Sequence, residues 1–180
     1  MSTHAILLSF AALTLSACSG GGSSAPSASA SNPPATSSTS VPQPTPAPEL
    51  ATDAYVGMWR AMAKAGETAD WQSPEVAKYA TGDALGVINR SLYTDHLNGV
   101  VSKGAPVTSP KVTEEKPPSK PTTIMISDCG DSTNWLKYKK DGSPFTDSPG
   151  GHRAITAEVK QQADGSWKVT RFAVEGVGTC

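Results

Sequence analysis

Charge and aromatic residues are almost absent from the first 51 residues of the chain. No Lys or Arg precedes Arg60, and before residue 52 Glu49 is the only acidic residue and Phe10 the only aromatic one. Residues 52–180 hold 15 basic and 15 acidic residues, so no excess of positive charge supports binding to nucleic acid. After the amino-terminal leader, no apolar run is long enough for a membrane-spanning helix.

The residue types that build catalytic and metal sites are also scarce. The chain has 3 histidines and 3 cysteines, and none of them falls at the spacing of a zinc site. The patterns of nucleophile elbows, phosphate-binding loops and calcium loops are missing from the sequence. The sequence therefore predicts no metal and no cofactor.

One motif near the amino terminus is informative. Leu15-Ser16-Ala17-Cys18 has the residue types of a bacterial lipobox: an apolar residue, two small residues at the cleavage point, and a cysteine that receives lipid. The apolar run before it, residues 5–15, has the length of a signal-peptide core and is too short to cross a bilayer. Residues 1–4 contain no Lys or Arg, which departs from the usual pattern. The alternative is an ordinary signal peptide with a chance cysteine.

The lipobox interpretation predicts where the protein resides. Residues 1–17 are then a signal peptide that is removed, and Cys18 carries an acyl chain such as palmitate. We expect this lipid to anchor the protein to the extracytoplasmic face of the cell membrane.

Residues 18–51 are predicted to form a disordered tether. They are rich in Ser, Ala, Pro, Thr and Gly, and Val41 and Leu50 are their only large apolar residues. Such a segment cannot bury enough apolar surface to offset the entropy lost on ordering. The tether would hold a folded domain, residues 52–180, away from the membrane.

The first part of this domain has helical periodicity. Thr52 or Asp53 is a plausible N-cap for a first helix ending near Gly66, Ser73-Pro74 starts a short second helix, and Thr81 precedes a third that stops at Asn98-Gly99. The apolar faces comprise Tyr55, Met58, Trp59 and Met62 in the first helix and Leu85, Ile88 and Leu92 in the third. We expect Tyr55, Trp59 and Tyr93 to pack in the core rather than contact a ligand.

From Val100 onward the apolar residues alternate as in strands. Strands are predicted around residues 107–114, 122–129, 135–139 and 155–160 and from Trp167 onward. Pro110 makes the first of these an edge or bulged strand. In the last strand, Trp167 and Val169 lie on one face but Phe172 and Val174 on the other, which predicts a β-bulge near Thr170-Arg171.

Three helices followed by curved antiparallel strands resemble the NTF2-like (cystatin-like) α+β superfamily, and in particular small lipoproteins of actinobacterial type. The resemblance covers about residues 52–180. The segments that carry it are Asp128-Cys129-Gly130-Asp131, Gly165-Ser166-Trp167-Lys168-Val169 and Gly178-Thr179-Cys180. It implies helices packed on a curved antiparallel sheet in a cone, often with an apolar pocket, and homodimers that form through the sheet.

The cysteines predict a disulfide. With Cys18 lipidated, Cys129 and Cys180 remain, and an exported domain folds under oxidising conditions. A structural bridge is favoured over a reactive or metal-binding pair, because no Cys-x-x-Cys and no suitably spaced histidine is present.

A group of polar and aromatic residues is the candidate pocket or catalytic site. The superfamily includes isomerases and cyclases that place an acid and a tyrosine inside the cone, and the matching residues here are Asp128, Asp131, Tyr138 and Trp135, with His152 as a further candidate. The simpler interpretation is that the two aspartates cap a turn between strands and that His152 is a loop or strand-start residue.

Three functional hypotheses follow from these features. The first is a non-enzymatic, lipid-anchored module that binds a small apolar ligand in the cone or docks an envelope protein on the sheet. The second is a small pocket enzyme, an isomerase or dehydratase. The third is an envelope spacer in which the tether matters most.

Overall fold

Helices come first along the domain and strands follow, as the sequence predicts. The computed structural model describes residues 44–143, 145–146 and 150–180. The signal peptide, the lipobox with Cys18, and most of the predicted tether lie outside the described residues. The helices are α1 (Ala47–Gly66), α2 (Pro74–Tyr79) and α3 (Gly82–Leu97). The strands are β1 (Val100–Lys103), β2 (Lys111–Lys116), β3 (Thr123–Asp131), β4 (Leu136–Lys139), β5 (His152–Gln161) and β6 (Trp167–Val174).

The first helix begins earlier than predicted. It starts at Ala47, within the residues predicted to belong to the tether, and Ala51 in its second turn is fully buried. Pro48 suits the first turn, where an N–H would have no partner inside the helix. The hydroxyl of Thr52, the predicted N-cap, donates instead to the Pro48 carbonyl at 2.8 Å, from within the helix.

The other helix boundaries agree with the prediction, with one packing error. Ser73 and Thr81 hold the N-cap positions of α2 and α3, and Gly99 takes a left-handed φ of 61° just after α3 ends. Tyr93 is not a core residue. Its side chain is 44% exposed and packs edge-on against the ring of Trp71, with 5.2 Å between ring centroids.

The strands form two antiparallel sheets. A four-stranded sheet has the order β2-β3-β5-β6, and β1 pairs with β4 in a separate two-stranded ribbon. Strand β2 lies at the edge and has a bulge between Val112 and Glu114, as Pro110 predicted. Helices α1 and α3 pack on the larger sheet. The predicted fold class, α+β with amino-terminal helices on a curved antiparallel sheet, is confirmed.

One face of the four-stranded sheet, its inner face, contacts the helices. Successive inner pairs across β3 and β5 are Ile124 with Val159, Ile126 with Ala157, Asp128 with Ile155, and Gly130 with Arg153. In β6 a register shift leaves Thr170 without a partner, so that Val169 pairs with Val159 and Phe172 with Ala157. The predicted bulge is therefore present, and it turns Phe172 and Val174 to the same face as Trp167 and Val169.

The predicted disulfide between Cys129 and Cys180 is present, with the two Cα atoms 5.8 Å apart. Cys129 is exposed and points away from the helices, because its neighbours Asp128 and Gly130 face inward. The carboxyl-terminal segment also bonds to β5, since the Gly178 amide donates to the His152 carbonyl at 2.7 Å. The bridge thus ties β3 to the end of the chain across β5.

In the parts of the chain that the structure describes, no helix has both the length and the apolar character needed to cross a membrane.

Candidate functional site

A cavity of about 600 Å³ lies at one end of the inner face. Helices α1 and α3 form one side of it, the β1–β4 ribbon another, and the ends of β3, β5 and β6 its floor. Gly130 contributes to this floor without a side chain. A Cβ atom added there would lie 2.7 Å from Cδ1 of Ile155, so a larger residue would require the end of the Ile155 side chain to move.

Aromatic rings form much of the cavity wall. The Trp59 indole is nearly buried and meets the rings of Trp135 and Phe172 edge-on, with centroids 6.3 Å and 5.4 Å away. Tyr138 and Phe145 add two further rings. Edge-to-face contacts of this kind hold rings at defined angles, so the wall is shaped by packing among the aromatic residues themselves.

A few polar groups interrupt this wall. Lys137 donates to Oδ1 of Asp95 at 2.8 Å, and the Asp95 side chain is only 15% exposed. Arg153 projects from β5 into the lining, where its Nη1 donates to the Glu175 carbonyl at 3.2 Å. Ser91, also in the lining, adds a neutral donor and acceptor. A mostly apolar wall with a small number of polar groups is typical of small-molecule sites.

Asp128 is buried behind the cavity and does not line it. Its Oδ2 accepts a hydrogen bond from the Tyr55 hydroxyl at 2.9 Å, and its Oδ1 accepts one from the Ser109 amide at 2.7 Å. Burial first, and then the charge and hydrogen bond of Asp128, raise the pKa of Tyr55 well above its ordinary value of 10.0. The prediction that Asp128 caps a turn is wrong, because this residue lies within β3 and binds a side chain of α1.

Asp131 does cap a turn, as predicted. Its Oδ1 accepts hydrogen bonds from the hydroxyl and the amide of Thr133, which lower the pKa of Asp131. His152 opens β5, as predicted, and is mostly exposed. Its Nε2 lies 4.0 Å from Oδ2 of Asp131, and its Nδ1 lies 3.8 Å from Sγ of Cys129. Asp131, His152 and the disulfide therefore form a surface group outside the cavity.

The structure separates the five candidate residues. Trp135 and Tyr138 line the cavity, whereas Asp128, Asp131 and His152 do not. Within the described residues, no group of three or more His, Cys, Asp and Glu side chains is arranged to hold a metal ion.

Sequence reasoning missed Arg153, although a signal for it was present. The alternation of Ile155, Ala157 and Val159 identifies the inward positions of β5, and Arg153 continues the same alternation toward the amino terminus. The pairing of Asp95 with Lys137 had no comparable signal, because the two residues lie 42 positions apart on different elements.

Comparisons with known proteins find similarity in structure alone. No family model matches the chain, and no curated protein matches it in sequence. A ketosteroid isomerase-like protein from Erwinia carotovora atroseptica has 13% identity and a TM-score of 0.45, covering 70% of this chain and 92% of its own. The intermembrane space region of the chloroplast protein ARC6 has 13% identity and a TM-score of 0.43, covering 74% and 99%.

A protein of Catenulispora acidiphila has 16% identity and a TM-score of 0.42, covering 69% of this chain and 86% of its own. At these identities and TM-scores the similarities carry no argument about function. The functional conclusion therefore depends on the geometry of the site.

Proposed function

We propose that this protein is a lipid-anchored, extracytoplasmic module that binds a small, largely apolar ligand in the cavity and catalyses no reaction. The observation that carries the proposal is the cavity itself. Its volume of about 600 Å³ falls within the roughly 300–1,000 Å³ of small-molecule sites. A solid core would instead have favoured docking of an envelope protein on the sheet.

The isomerase or dehydratase hypothesis has less support. A catalytic base in such a pocket needs a carboxylate or imidazole that can reach the substrate. Both oxygens of Asp128 accept hydrogen bonds, from Tyr55 and Ser109, behind the cavity wall. Asp95 does reach the lining, but Lys137 holds it in an ion pair. These contacts favour structural roles for both acids.

The lipobox and the tether are the support for the anchor. In this proposal the Ser-, Pro- and Gly-rich segment between Cys18 and α1 would connect the lipid to the domain. A domain anchored in this way could take up its ligand from the surrounding medium or from a neighbouring protein.

Ligand binding can be tested by filling the cavity. Ser91 lines it from α3, and Ser91→Trp would place an indole inside, whereas Thr94→Trp puts the same group on the exposed side of the same helix. The full chain carrying Cys18→Ser avoids detergent, and 1-dodecanol serves as a neutral apolar probe. We expect Ser91→Trp to weaken binding at least about tenfold by calorimetry and Thr94→Trp to match the parent chain. Absence of saturable binding to the parent chain by 1-dodecanol and by its carboxylate, phosphate and ammonium counterparts would refute the proposal.

The anchor is tested separately in a bacterial host. Cells fed an alkyne-labelled palmitate should incorporate the label into the full chain and retain the protein in the membrane fraction. Cys18→Ser should remove both the label and membrane retention, while Ser19→Ala should change neither. Recovery of the unaltered chain as a soluble protein with a free Cys18 thiol would refute this part.

A further inference from the structure

Arg153 is a cation in the cavity lining that has no acidic partner among the described residues. Lys137 pairs with Asp95, and Arg171 on β6 pairs with Glu158, but no carboxylate lies within ion-pair distance of Arg153 in the described part of the domain. Its one hydrogen bond there goes from Nη1 to the Glu175 carbonyl. A guanidinium has five N–H donors, and within the described residues Nε and Nη2 form no hydrogen bond.

The surroundings of the cavity are positive as well. Among the described residues that line it, Asp95 is the only acidic one, and its charge is matched by Lys137. Lys103 places its Nζ 5.0 Å from the ring centroid of Tyr138, and Lys139 places its Nζ 5.2 Å from that of Phe145. Both rings belong to the lining. Asp141 lies close enough to Lys139 for their charges to interact. Among the described residues, Arg153 and Lys103 are therefore the cations beside this largely apolar space that form no ion pair.

The apolar side chains continue to the surface beside these cations. Val87, Leu136 and Val174 line the cavity and are each more than 40% exposed, so apolar surface reaches the mouth. Deeper inside, Trp59 and Phe172 are in edge-to-face contact. An occupant that matches this arrangement has both a hydrocarbon part and a negative group.

We propose that the ligand is an amphiphile with an anionic head group, a carboxylate or a phosphate, that Arg153 binds while the aliphatic part packs against Trp59 and Phe172. This inference rests on the proposed ligand-binding function. The planar guanidinium can donate two parallel hydrogen bonds to a carboxylate or phosphate, which an alcohol cannot accept in the same way. Binding would also place a negative charge beside Arg153, which has no carboxylate of the described residues within ion-pair distance.

The test compares probes that differ only in the head group. The full chain carrying Cys18→Ser is titrated by calorimetry with dodecanoate, dodecyl phosphate, 1-dodecanol and dodecylammonium, each below its micelle concentration. We expect at least one anionic probe to bind at least about tenfold more tightly than 1-dodecanol, and dodecylammonium to bind more weakly than 1-dodecanol. The two anionic probes distinguish a carboxylate head from a phosphate head.

Variants then assign the preference to Arg153. Arg153→Gln should bring the ratio of anionic-probe affinity to 1-dodecanol affinity close to one, and Arg153→Lys should retain part of the preference. Arg60→Gln is the matched control, because Arg60 is exposed on α1 and does not line this cavity. It should keep the full preference.

The outcomes separate the two proposals. Equal binding of dodecanoate, dodecyl phosphate and 1-dodecanol to the unaltered cavity overturns the anionic head group but leaves ligand binding intact. A preference that survives Arg153→Gln overturns the role of Arg153. Failure of all four probes to bind overturns the proposed function itself. The probe comparison on the parent chain needs no variant at Arg153, so it stands even if Arg153→Gln fails to fold.

Discussion

The inner face of the four-stranded sheet has two ends that differ in packing. The packed end consists of Ile124, Ile126, Ala157, Val159 and Val169, and each of these side chains is at most 2% exposed. The open end consists of Gly130, Arg153, Phe172 and Val174, which surround the cavity. Both ends belong to the same strands and carry the same inward alternation. The alternation of inward-facing residues therefore shows which face of the sheet the helices cover. The size and charge of these side chains decide whether the space between sheet and helices is filled.

The junction between the two ends has polar and covalent links in addition to the apolar packing of Ile155. Asp128 lies there on the inner face, bonded to Tyr55 of α1, and Cys129 next to it is bridged to Cys180 on the outer face. A cavity forgoes the dispersion contacts that its lining would otherwise make. We infer that these links compensate for the missing contacts and keep the open end in shape.

The largest expected effect comes from cutting the disulfide. The bridged residues are 51 positions apart, for which the chain-entropy relation gives about 4 kcal/mol of stability. Cys180→Ala should lower the free energy of unfolding by up to that amount, measured in urea, and should expose one free thiol. Amide exchange should accelerate more at the open end than at the packed end.

Reduction of the parent chain provides the control for this variant. Dithiothreitol should destabilise the parent to a similar extent and leave Cys180→Ala unchanged. Free thiols at both Cys129 and Cys180 in the untreated protein would contradict the structural role of the bridge.

A pair of truncations compares the two ends directly. Ile124→Ala should cost about 3 kcal/mol, because it removes buried methylenes and leaves a void in a filled region. Val174→Ala, at a side chain 42% exposed beside the cavity, should cost less than about 1 kcal/mol. Denaturant unfolding measures both. Equal losses of unfolding free energy in the two variants would show that the open end is packed as tightly as the packed end, which would contradict the distinction between the two ends.

Removing the junction hydrogen bond should have an intermediate effect. Tyr55→Phe takes away one of the two donors to the buried Asp128 carboxylate and should cost about 2 kcal/mol. The raised pKa of Tyr55 adds a signature in alkaline solution. The unfolded chain releases this proton above about pH 10 but the folded chain keeps it, so stability falls as pH rises beyond that value.

The alkaline loss should therefore be smaller in Tyr55→Phe than in the parent chain. Tyr93→Phe removes an exposed hydroxyl and serves as the control, with unchanged stability and an unchanged alkaline profile. An alkaline profile of Tyr55→Phe identical to that of the parent would contradict the assignment.

The smallest expected effect concerns the bulge that turns Phe172 toward the cavity. Glu158 accepts hydrogen bonds there from Thr170 at 2.7 Å and from Arg171 at 3.0 Å, and Lys160 lies 3.0 Å away. Burial raises the pKa of Glu158, but these hydrogen bonds and positive charges outweigh it, and the net pKa is lowered from 4.5. Glu158→Gln should cost about 1 kcal/mol at neutral pH.

The prediction is tested by measuring the stability of the parent chain and of Glu158→Gln as the pH is lowered. A lowered pKa in the folded state means that the stabilisation is complete above the ordinary value of 4.5 and is lost as pH falls through the folded-state pKa. The difference between the parent chain and Glu158→Gln should therefore shrink in acid. Glu175→Gln, at an exposed residue, should show no such convergence. A difference that stays constant with pH would mean that the charge of Glu158 does not support the bulge.

Prediction from sequence succeeded where the governing interactions are local. The inner face was identified from the alternation of Ile155, Ala157 and Val159, because side-chain direction in a strand depends only on position. The bulge was identified because the apolar residues move from odd to even positions after Val169. Prediction failed for Asp128, whose partner Tyr55 is 73 positions away. A turn was the reasonable expectation for that aspartate from its neighbours alone.

The sequence by itself determined the order of helices and strands and the covered face of the sheet, since these follow from periodicity and turn residues. The pairing of Cys129 with Cys180 followed from the interpretation of Cys18 as the lipidated cysteine. Only the tertiary structure decided that the covered face has one filled end and one open end, and that Arg153 lies at the open end with no carboxylate of the described residues within ion-pair distance. The reason is physical: a pattern states which side chains turn inward, but whether they touch depends on the distance between elements that are far apart in the chain.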